Sequence, residues 1–182
     1  MRLTLTQIPF TLRTEAEMTT TPTTDSATIL SPAAFLAHWQ GHRALTRRVI
    51  EAFPEEQLFT FSAAPPMRSF GQMAWEMHGV AEYTLGGLVT DRWPTPDWTA
   101  DGPPPQERAA LLAAWNALTA RLDAELPGVP AARYPQTKAL SWGEMTAFDA
   151  AIYAIDNEIH HRAQGYVYLR ALGLEPPPFW ER

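Results

Sequence analysis

Two polar side chains with the spacing of metal ligands lie in the C-terminal part of the chain. Asn157 and His161 are four residues apart within the polar stretch DNEIHHRAQGYVYLR. On an α-helix, residues i and i+4 point in the same direction, one turn apart. The pair therefore predicts a polar site on a helix. The alternative is a packing or hydrogen-bonding role, which is the commoner one for a single helical histidine.

A second candidate is a carboxylate inside an apolar stripe. Met73 precedes Glu76 by three residues, and Val80 and Tyr83 follow it by four and seven, so Glu76 is expected on the inward face of its helix. A buried carboxylate is costly unless it is paired, protonated or bound to a cation. Two interpretations follow: Glu76 lines a site, or it forms a salt bridge with an arginine such as Arg162.

The remaining histidines are weaker candidates. His78 lies about 200° around its helix from the candidate carboxylate, on a more polar face. His160 is adjacent to a candidate ligand and must point elsewhere. His38 and His42 have ligand spacing, but no third ligand accompanies them. We therefore expect them to serve packing or hydrogen bonding, with the inward-facing His42 in a supporting position beside the site.

Two known metal motifs do not fit this sequence. The zinc motif H-E-x-x-H is absent, and Glu158 with His161 forms a single Glu-x-x-His, whereas di-iron bundles need two copies and two more glutamates. The chain also has no cysteine, which excludes disulfides, thiolate metal sites and a cysteine nucleophile.

Four segments with apolar residues at steps of three and four predict the helices that position these groups. Two of them begin with an apparent capping box, Ser69 with Gln72 and Ser141 with Glu144. No alternating strand pattern lies between them, so the sequence predicts an all-α four-helix bundle with long connections. The predicted helices run from Ser31-Pro32 to about Phe53, from Ser69 to about Val89, from about Pro105 to Leu126, and from Ser141 to Leu172 with Gly173 as C-cap.

The fourth helix is predicted to carry two different stripes. Small and polar residues in line with the candidate ligands are expected to line a cavity, namely Ala150, Ala154, Gln164 and Tyr168. The larger apolar residues are expected to supply the core, namely Phe148, Ile152, Ile155, Ile159, Tyr166 and Leu169.

Length and composition define the rest of the chain. The 182 residues carry a formal net charge of −6, which argues against a nucleic-acid binder. No apolar run is long enough to span a membrane, and no signal peptide is recognisable, so a cytoplasmic protein is expected. Residues 1–30 contain a threonine-rich stretch around Pro22 and predict a flexible extension, whose translation start is either Met1 or Met18; residues 31–182 form the domain.

Two stretches resemble the DinB-like (YfiT-like) family of four-helix-bundle metalloproteins. NEIHHRAQGYVYLRALGLEPP resembles the family's fourth helix, and MRSFGQMAWEMHGVAEY resembles its second. The resemblance covers essentially residues 31–182. It implies an up-down-down-up bundle, frequently a homodimer, with one divalent metal near one end. Relatives in this family include S-transferases that use mycothiol or bacillithiol, a maleylpyruvate isomerase and hydrolase-like proteins.

The usual metal ligands of that family are three histidines, one on helix two and two in H-x-x-x-H-R-G-Q on helix four. The corresponding positions here are Glu76, Asn157 and His161, and Ala163 replaces the glycine. This set is harder than three imidazoles, which shifts the expected metal from zinc toward nickel, manganese or iron and predicts weaker binding. Residues expected to support the site or line its cavity are His42, Tyr83, Gln164 and Tyr168.

Two functions follow from the resemblance and the altered ligands. The first is a metal-dependent transferase or hydrolase that acts on a small molecule, with a low-molecular-weight thiol as a further expected cofactor. The second is a non-catalytic, stress-related binding or structural dimer with a degenerate metal site. Without a metal, Glu76 and His161 could still form an acid–base pair or a structural hydrogen bond.

Overall fold

The computed structural model describes residues 30–97 and 103–182, so the predicted N-terminal extension lies almost wholly outside the described residues. Within these ranges no helix has the length and apolar character needed to cross a membrane. Four long helices dominate, and they confirm the predicted all-α class. They are α1 Pro32–Ala52, α3 Phe70–Thr90, α4 Arg108–Glu125 and α5 Ala147–Ala171; between them lie a short α2, Glu55–Leu58, 3₁₀ turns at Leu126–Gly128 and Ala131–Arg133, and strands β1 Thr137–Leu140 and β2 Gly143–Thr146.

Contacts between the helices give their directions. Helices α1 and α4 run in opposite directions, since Gln40 contacts Asp123 and Phe53 contacts Arg108. Helices α1 and α5 run in the same direction, since Phe35 contacts Phe148 and Thr46 contacts Glu158. Early in α3, Phe70 lies against Gly165, which is late in α5. Helices α1 and α5 therefore point one way and α3 and α4 the other, which is the predicted up-down-down-up order. Because α3 and α4 are parallel, the chain between them must return along the bundle.

The core lies between the four helices, around the fully buried indoles of Trp39 and Trp115. The residues of the first helical segment at steps of three and four are all buried, namely Phe35, Trp39, His42, Thr46, Val49 and Phe53. Helix α1 begins at Ser31, whose side chain accepts a hydrogen bond from the Ala34 N–H, and α3 begins with the predicted capping box of Ser69 and Gln72. These caps satisfy N–H groups that a helix start otherwise leaves without partners.

The predicted start of the fourth helix was wrong. Ser141 and Trp142 instead form the two-residue turn of a hairpin, in which Leu140 pairs with Gly143. Gly143 has φ of +141°, a conformation that favours glycine. The helix begins only after Thr146, which forms a true capping box with Asp149. Each strand has four residues, too short to display an alternating pattern.

The two stripes predicted for the fourth helix were also assigned wrongly in part. Phe148 and Ile159 are both 38% exposed, whereas Ala150, Ala154 and Tyr168 are buried in the packed interior rather than in a cavity wall. Small residues let α5 approach α3 and α1 closely, and this contact leaves several large apolar side chains outside. The buried small residues of α5 are Ala147, Ala150, Ala151, Ala154 and Gly165.

Candidate functional site

Three residues that are far apart in sequence converge where α3 meets α5. The Nε2 of His161 lies 3.0 Å from the Oε1 of Glu76, and the Nδ2 of Asn157 donates to the same oxygen at 3.4 Å. Asn157 and His161 share one face of α5, and Glu76 faces them from the middle of α3. We call these three residues, together with Arg68, the Glu76 cluster.

Arg68 forms the salt bridge that balances the glutamate. Its Nη2 lies 2.5 Å from the Oε2 of Glu76. The backbone of Arg68 is held by the Tyr168 hydroxyl, which donates to its carbonyl at 2.9 Å, but the side chain is 49% exposed. An arginine therefore does pair with Glu76, but it is not Arg162. Arg162 follows His161 by one residue, about 100° around the helix, and so points to α1.

The second nitrogen of His161 is held by an amide. Its Nδ1 lies 3.0 Å from the Oε1 of Gln164. Because a carbonyl oxygen only accepts, Nδ1 must carry the proton. Nε2 then has two states: in the imidazolium it donates to Glu76, and in the neutral ring it offers a lone pair. An outer hydrogen bond of this kind is the usual support for a metal-binding histidine.

The charges of the cluster stabilise one another. The hydrogen bond from His161 lowers the pKa of Glu76 to about 2; burial opposes this shift, and the hydrogen bond from Arg68 adds to it. Burial alone would lower the pKa of His161, but the hydrogen bonds to Glu76 and Gln164 outweigh burial and raise it. The arrangement therefore favours an ionised glutamate beside a protonated imidazole in mildly acidic solution.

The donor atoms of the Glu76 cluster fit a weakly held divalent cation. The 3.0 Å between Nε2 of His161 and Oε1 of Glu76 is the separation expected of neighbouring ligands with bonds of about 2.1 Å. The Oδ1 of Asn157 is buried and has no hydrogen-bond partner among the described residues. Against a cation stands Arg68, whose charge already neutralises the carboxylate. In residues 30–97 and 103–182, no three His, Cys, Asp or Glu side chains are grouped as metal ligands, so the third donor would be the amide.

A cleft of about 1030 Å³ opens beside the cluster. This volume is at the upper end of the range typical of small-molecule sites. Its wall is formed mainly by α3, the start of α5, the hairpin turn and the proline-rich chain that follows α3. The charged and aromatic side chains that line it include Arg68, Glu76, Glu82, Tyr83, Asp97, Trp142 and Tyr153.

The structure places the predicted supporting residues at different distances from the ligands. Gln164 contacts His161 directly, and Tyr168 acts through the backbone of Arg68. Tyr83 lines the cleft, two helical turns beyond Glu76. His78 is buried and stacks on Trp75, with ring centroids 4.8 Å apart, on another side of α3.

His42 belongs to a different cluster, which corrects its expected place beside the ligands. It lies across α5, where its Nδ1 is 2.9 Å from Nη2 of Arg162. There Glu158 accepts from the Thr46 hydroxyl at 2.6 Å and pairs with Arg162 at 3.5 Å. We call His42, Thr46, Glu158 and Arg162 the Glu158 cluster. His42 faced inward as predicted, but α1 packs on the other side of α5 from α3.

The contacts of three residues in these clusters could not be found from sequence reasoning alone. Arg68 lies in a connection, where no periodicity shows its direction; its only signal was its position before the Ser69 cap. Glu158 and Arg162 have the i, i+4 spacing of a helical ion pair, but that spacing usually marks a solvated face. Here Glu158 is 1% exposed.

Comparison with known proteins gives a consistent picture. The model of the DinB family matches residues 18–182. A DinB-like protein from Bacillus cereus ATCC 10987 has a similar structure, with a TM-score of 0.66 and 19% identity over 81% of this chain and 97% of that one. The DinB-like protein YjoA from Bacillus subtilis aligns with a TM-score of 0.64 and 16% identity over the same shares. No curated protein matches the chain. At these identities the two structures support the fold alone.

Proposed function

This chain belongs to the DinB family, and from that premise we propose that it binds a divalent metal ion through Glu76, Asn157 and His161 and acts on a small molecule in the adjoining cleft. The reaction class we propose is metal-dependent transfer, with a low-molecular-weight thiol, or hydrolysis. A divalent metal with open positions supplies Lewis acidity, which lowers the pKa of a water or thiol and creates a nucleophile.

The observation that supports this proposal is the convergence of three donor side chains at the wall of one cleft. His161 and Asn157 both reach the Oε1 of Glu76, and the Oδ1 of Asn157 is buried without a partner among the described residues. A buried acceptor without a partner is costly, so it favours a bound cation or water at this point.

The protein's own residues would orient the reacting groups. Gln164 fixes the His161 ring so that Nε2 faces Glu76. Tyr168 anchors the backbone of Arg68, whose half-exposed guanidinium lines the cleft. When Arg68 leaves Glu76, it becomes a bidentate donor for an anionic group of a ligand.

The second candidate is a non-catalytic binding or structural dimer with a degenerate metal site. It is favoured by one observation: Arg68 already balances the charge of Glu76 at 2.5 Å. In this function the Glu76 cluster would be a salt-bridge network that joins α3 to α5, and the cleft would bind a ligand without reaction.

Calorimetric titration of the tag-free protein with zinc, nickel and manganese separates the two functions. Asn157→His exchanges an amide oxygen for an imidazole, so zinc and nickel should bind about 10-fold more tightly or better. His161→Ala should weaken binding. The matched control is His78→Ala, which removes a buried histidine of α3 outside the cluster and should leave metal affinity unchanged.

Two results would contradict the metal proposal. If the parent binds no metal and Asn157→His gains nothing, the non-catalytic function is preferred. If His78→Ala abolishes binding while Glu76→Ala retains it, the metal lies on the other face of α3.

A further inference from the structure

The cleft changes character along its length. At one end lie Arg68 and the Glu76 cluster; at the other lie Tyr83 and Trp142. Glu76 and Tyr83 are seven residues apart on α3, which is about 10 Å along the helix axis. A ligand that fills the cleft therefore meets a charged polar end and, about 10 Å away, a chemically different end.

The far end has an aromatic wall built from three elements. Tyr83 comes from α3, Trp142 from the hairpin turn and Tyr153 from the second turn of α5. The ring centroid of Trp142 is 5.3 Å from that of Tyr83 and 6.2 Å from that of Tyr153. Trp142 and Tyr153 are 41% and 45% exposed, so both keep part of their surface open to the cleft. We call these three residues the aromatic wall.

The carboxylates that line the cleft, apart from Glu76, are Glu82 and Asp97. Glu82 directly precedes Tyr83 in the chain. Arg121 pairs with Glu82 at 2.5 Å, but Arg121 does not line the cleft. Arg68 is the one cation among the described lining residues, and it is held on Glu76 at the opposite end. The whole chain is acidic as well, with a net charge of −6, which favours the approach of cations.

We propose that the aromatic wall, with Glu82 and Asp97, binds the ammonium group of an organic cation whose remaining chain extends toward the Glu76 cluster. Aromatic faces carry negative charge density, and alkylated ammonium groups bind to clustered faces of this kind. The carboxylates add attraction that a neutral ligand does not receive. This inference rests on the cleft being the ligand site of the proposed function, and it assigns the class of that ligand.

The test compares two probes of equal shape, choline and 3,3-dimethylbutan-1-ol, which differ in a quaternary nitrogen and a quaternary carbon. Each is titrated by NMR into the full chain with EDTA present. Cation–π attraction of about 0.5–2 kcal/mol corresponds to roughly 2- to 30-fold in affinity. We expect choline to bind at least about fivefold more tightly. The proposal is overturned if both probes bind equally or if the alcohol binds more tightly. It is also overturned if neither probe binds at about 20 mM, a concentration at which even weak ligands bind.

Variants assign the preference to the aromatic wall. Tyr153→Leu keeps an apolar surface but removes the ring, so it should lower choline affinity about threefold or more while leaving the alcohol unaffected. Trp180→Leu is the control, because this indole is also exposed but lies on the C-terminal segment outside the cleft. Asp97→Asn should weaken choline alone, and Asp156→Asn on the outer face of α5 should not.

The same variants exclude other occupants of the wall. If a second copy of the chain covers the aromatic wall, Tyr153→Leu will change the sedimentation coefficient and leave choline affinity unchanged, which contradicts the proposal. Because the probes are measured without metal, failure here leaves the metal titration intact. Conversely, absence of metal binding leaves the choline preference testable.

Discussion

Two glutamates form polar contacts on opposite sides of α5, and their surroundings differ. Glu76 reaches α5 from α3, whereas Glu158 extends from α5 toward α1. Glu76 is one-third exposed at the cleft, and its pKa is lowered to about 2, chiefly by the hydrogen bond from His161. Glu158 is 1% exposed, and burial raises its pKa although Arg43 and Arg162 oppose the shift. The same residue type is therefore easily ionised at one site and costly to ionise at the other.

The two histidines follow the same contrast. Hydrogen bonds to Glu76 and Gln164 raise the pKa of His161 against the effect of burial. For His42, burial is the largest cause of a pKa lowered to about 3, and the charge of Arg162 lowers it further. His161 therefore carries a proton readily, whereas His42 stays neutral and accepts from Arg162.

The Glu76 cluster has the features of a ligand site, whereas the Glu158 cluster has those of a structural contact between helices. The Glu76 cluster adjoins a cleft, contains a half-exposed cation, and has a buried acceptor without a partner among the described residues. The Glu158 cluster satisfies its charges inside the bundle and joins α1 to α5. A ligand site needs charged groups that can exchange a protein partner for a ligand, whereas a buried ion pair between helices is stable only while it keeps its protein partners.

The largest expected effect is on the free energy of unfolding, when glutamine replaces each of the two glutamates. Glu158→Gln leaves the buried guanidinium of Arg162 without its anion and should lower the free energy of unfolding by about 3 kcal/mol. Glu76→Gln affects a partly exposed network and should cost less than about 1 kcal/mol. Urea unfolding at pH 7 measures both. Equal effects would show that Glu158 is already protonated at neutral pH and would remove the contrast.

The next effect concerns metal affinity. Arg68→Ala removes the cation that competes for Glu76, so zinc and manganese should bind roughly 3- to 10-fold more tightly, as expected when an exposed ion pair no longer competes. Arg47→Ala is the matched control, since Arg47 forms an exposed salt bridge with Glu51 elsewhere. Calorimetry that finds weaker binding in Arg68→Ala would mean that Arg68 supports the metal site instead of competing with it.

The contrast also shows what the sequence could reveal. Helices α1 and α3 followed from periodicity and caps, and α4 followed from periodicity alone, because each buries one continuous apolar stripe. Helix α5 was harder, because it buries alanines and leaves Phe148 and Ile159 exposed. Its start was mistaken because Ser141 and Glu144 have the spacing of a capping box while lying in a hairpin.

The candidate site was partly visible for a similar reason. Glu76 interrupted an apolar stripe, and Asn157 with His161 shared one face of a helix, so local geometry found them as two separate candidates; the resemblance to the DinB-like family placed Glu76 with the other two. The cations that distinguish the two glutamates are Arg162, whose contact depends on the order of the helices, and Arg68, which lies in the connection before α3. Periodicity describes which way a side chain points from its own helix; it does not show that Arg68 reaches Glu76 or that Arg162 reaches α1.

The smallest expected effect is the pH dependence of the Glu76–His161 pair. The pKa of Glu76 is lowered from 4.5 to about 2, so its contribution to stability is present above pH 4.5 and is lost as the pH falls toward 2. The pKa of His161 is raised above 6.5, so its contribution is complete below pH 6.5 and is lost as the pH rises through the raised value. The pair should therefore stabilise the fold most between about pH 4.5 and 6.5.

His42 should show the opposite dependence, and NMR titration of the two histidines tests both signs at once. Because its pKa is lowered from 6.5 to about 3, His42 resists protonation in the fold, and stability should decline as the pH falls below 6.5. The His161 ring proton should titrate above the ordinary histidine range, and Glu76→Gln should move that titration down, since the main hydrogen bond to a charged partner is lost. The His42 titration should stay unchanged in the same variant, because it lies across α5. A His161 that titrates normally in the parent would show that the carboxylate and the imidazole do not meet in solution, and the distinction between the two clusters would then rest on burial alone.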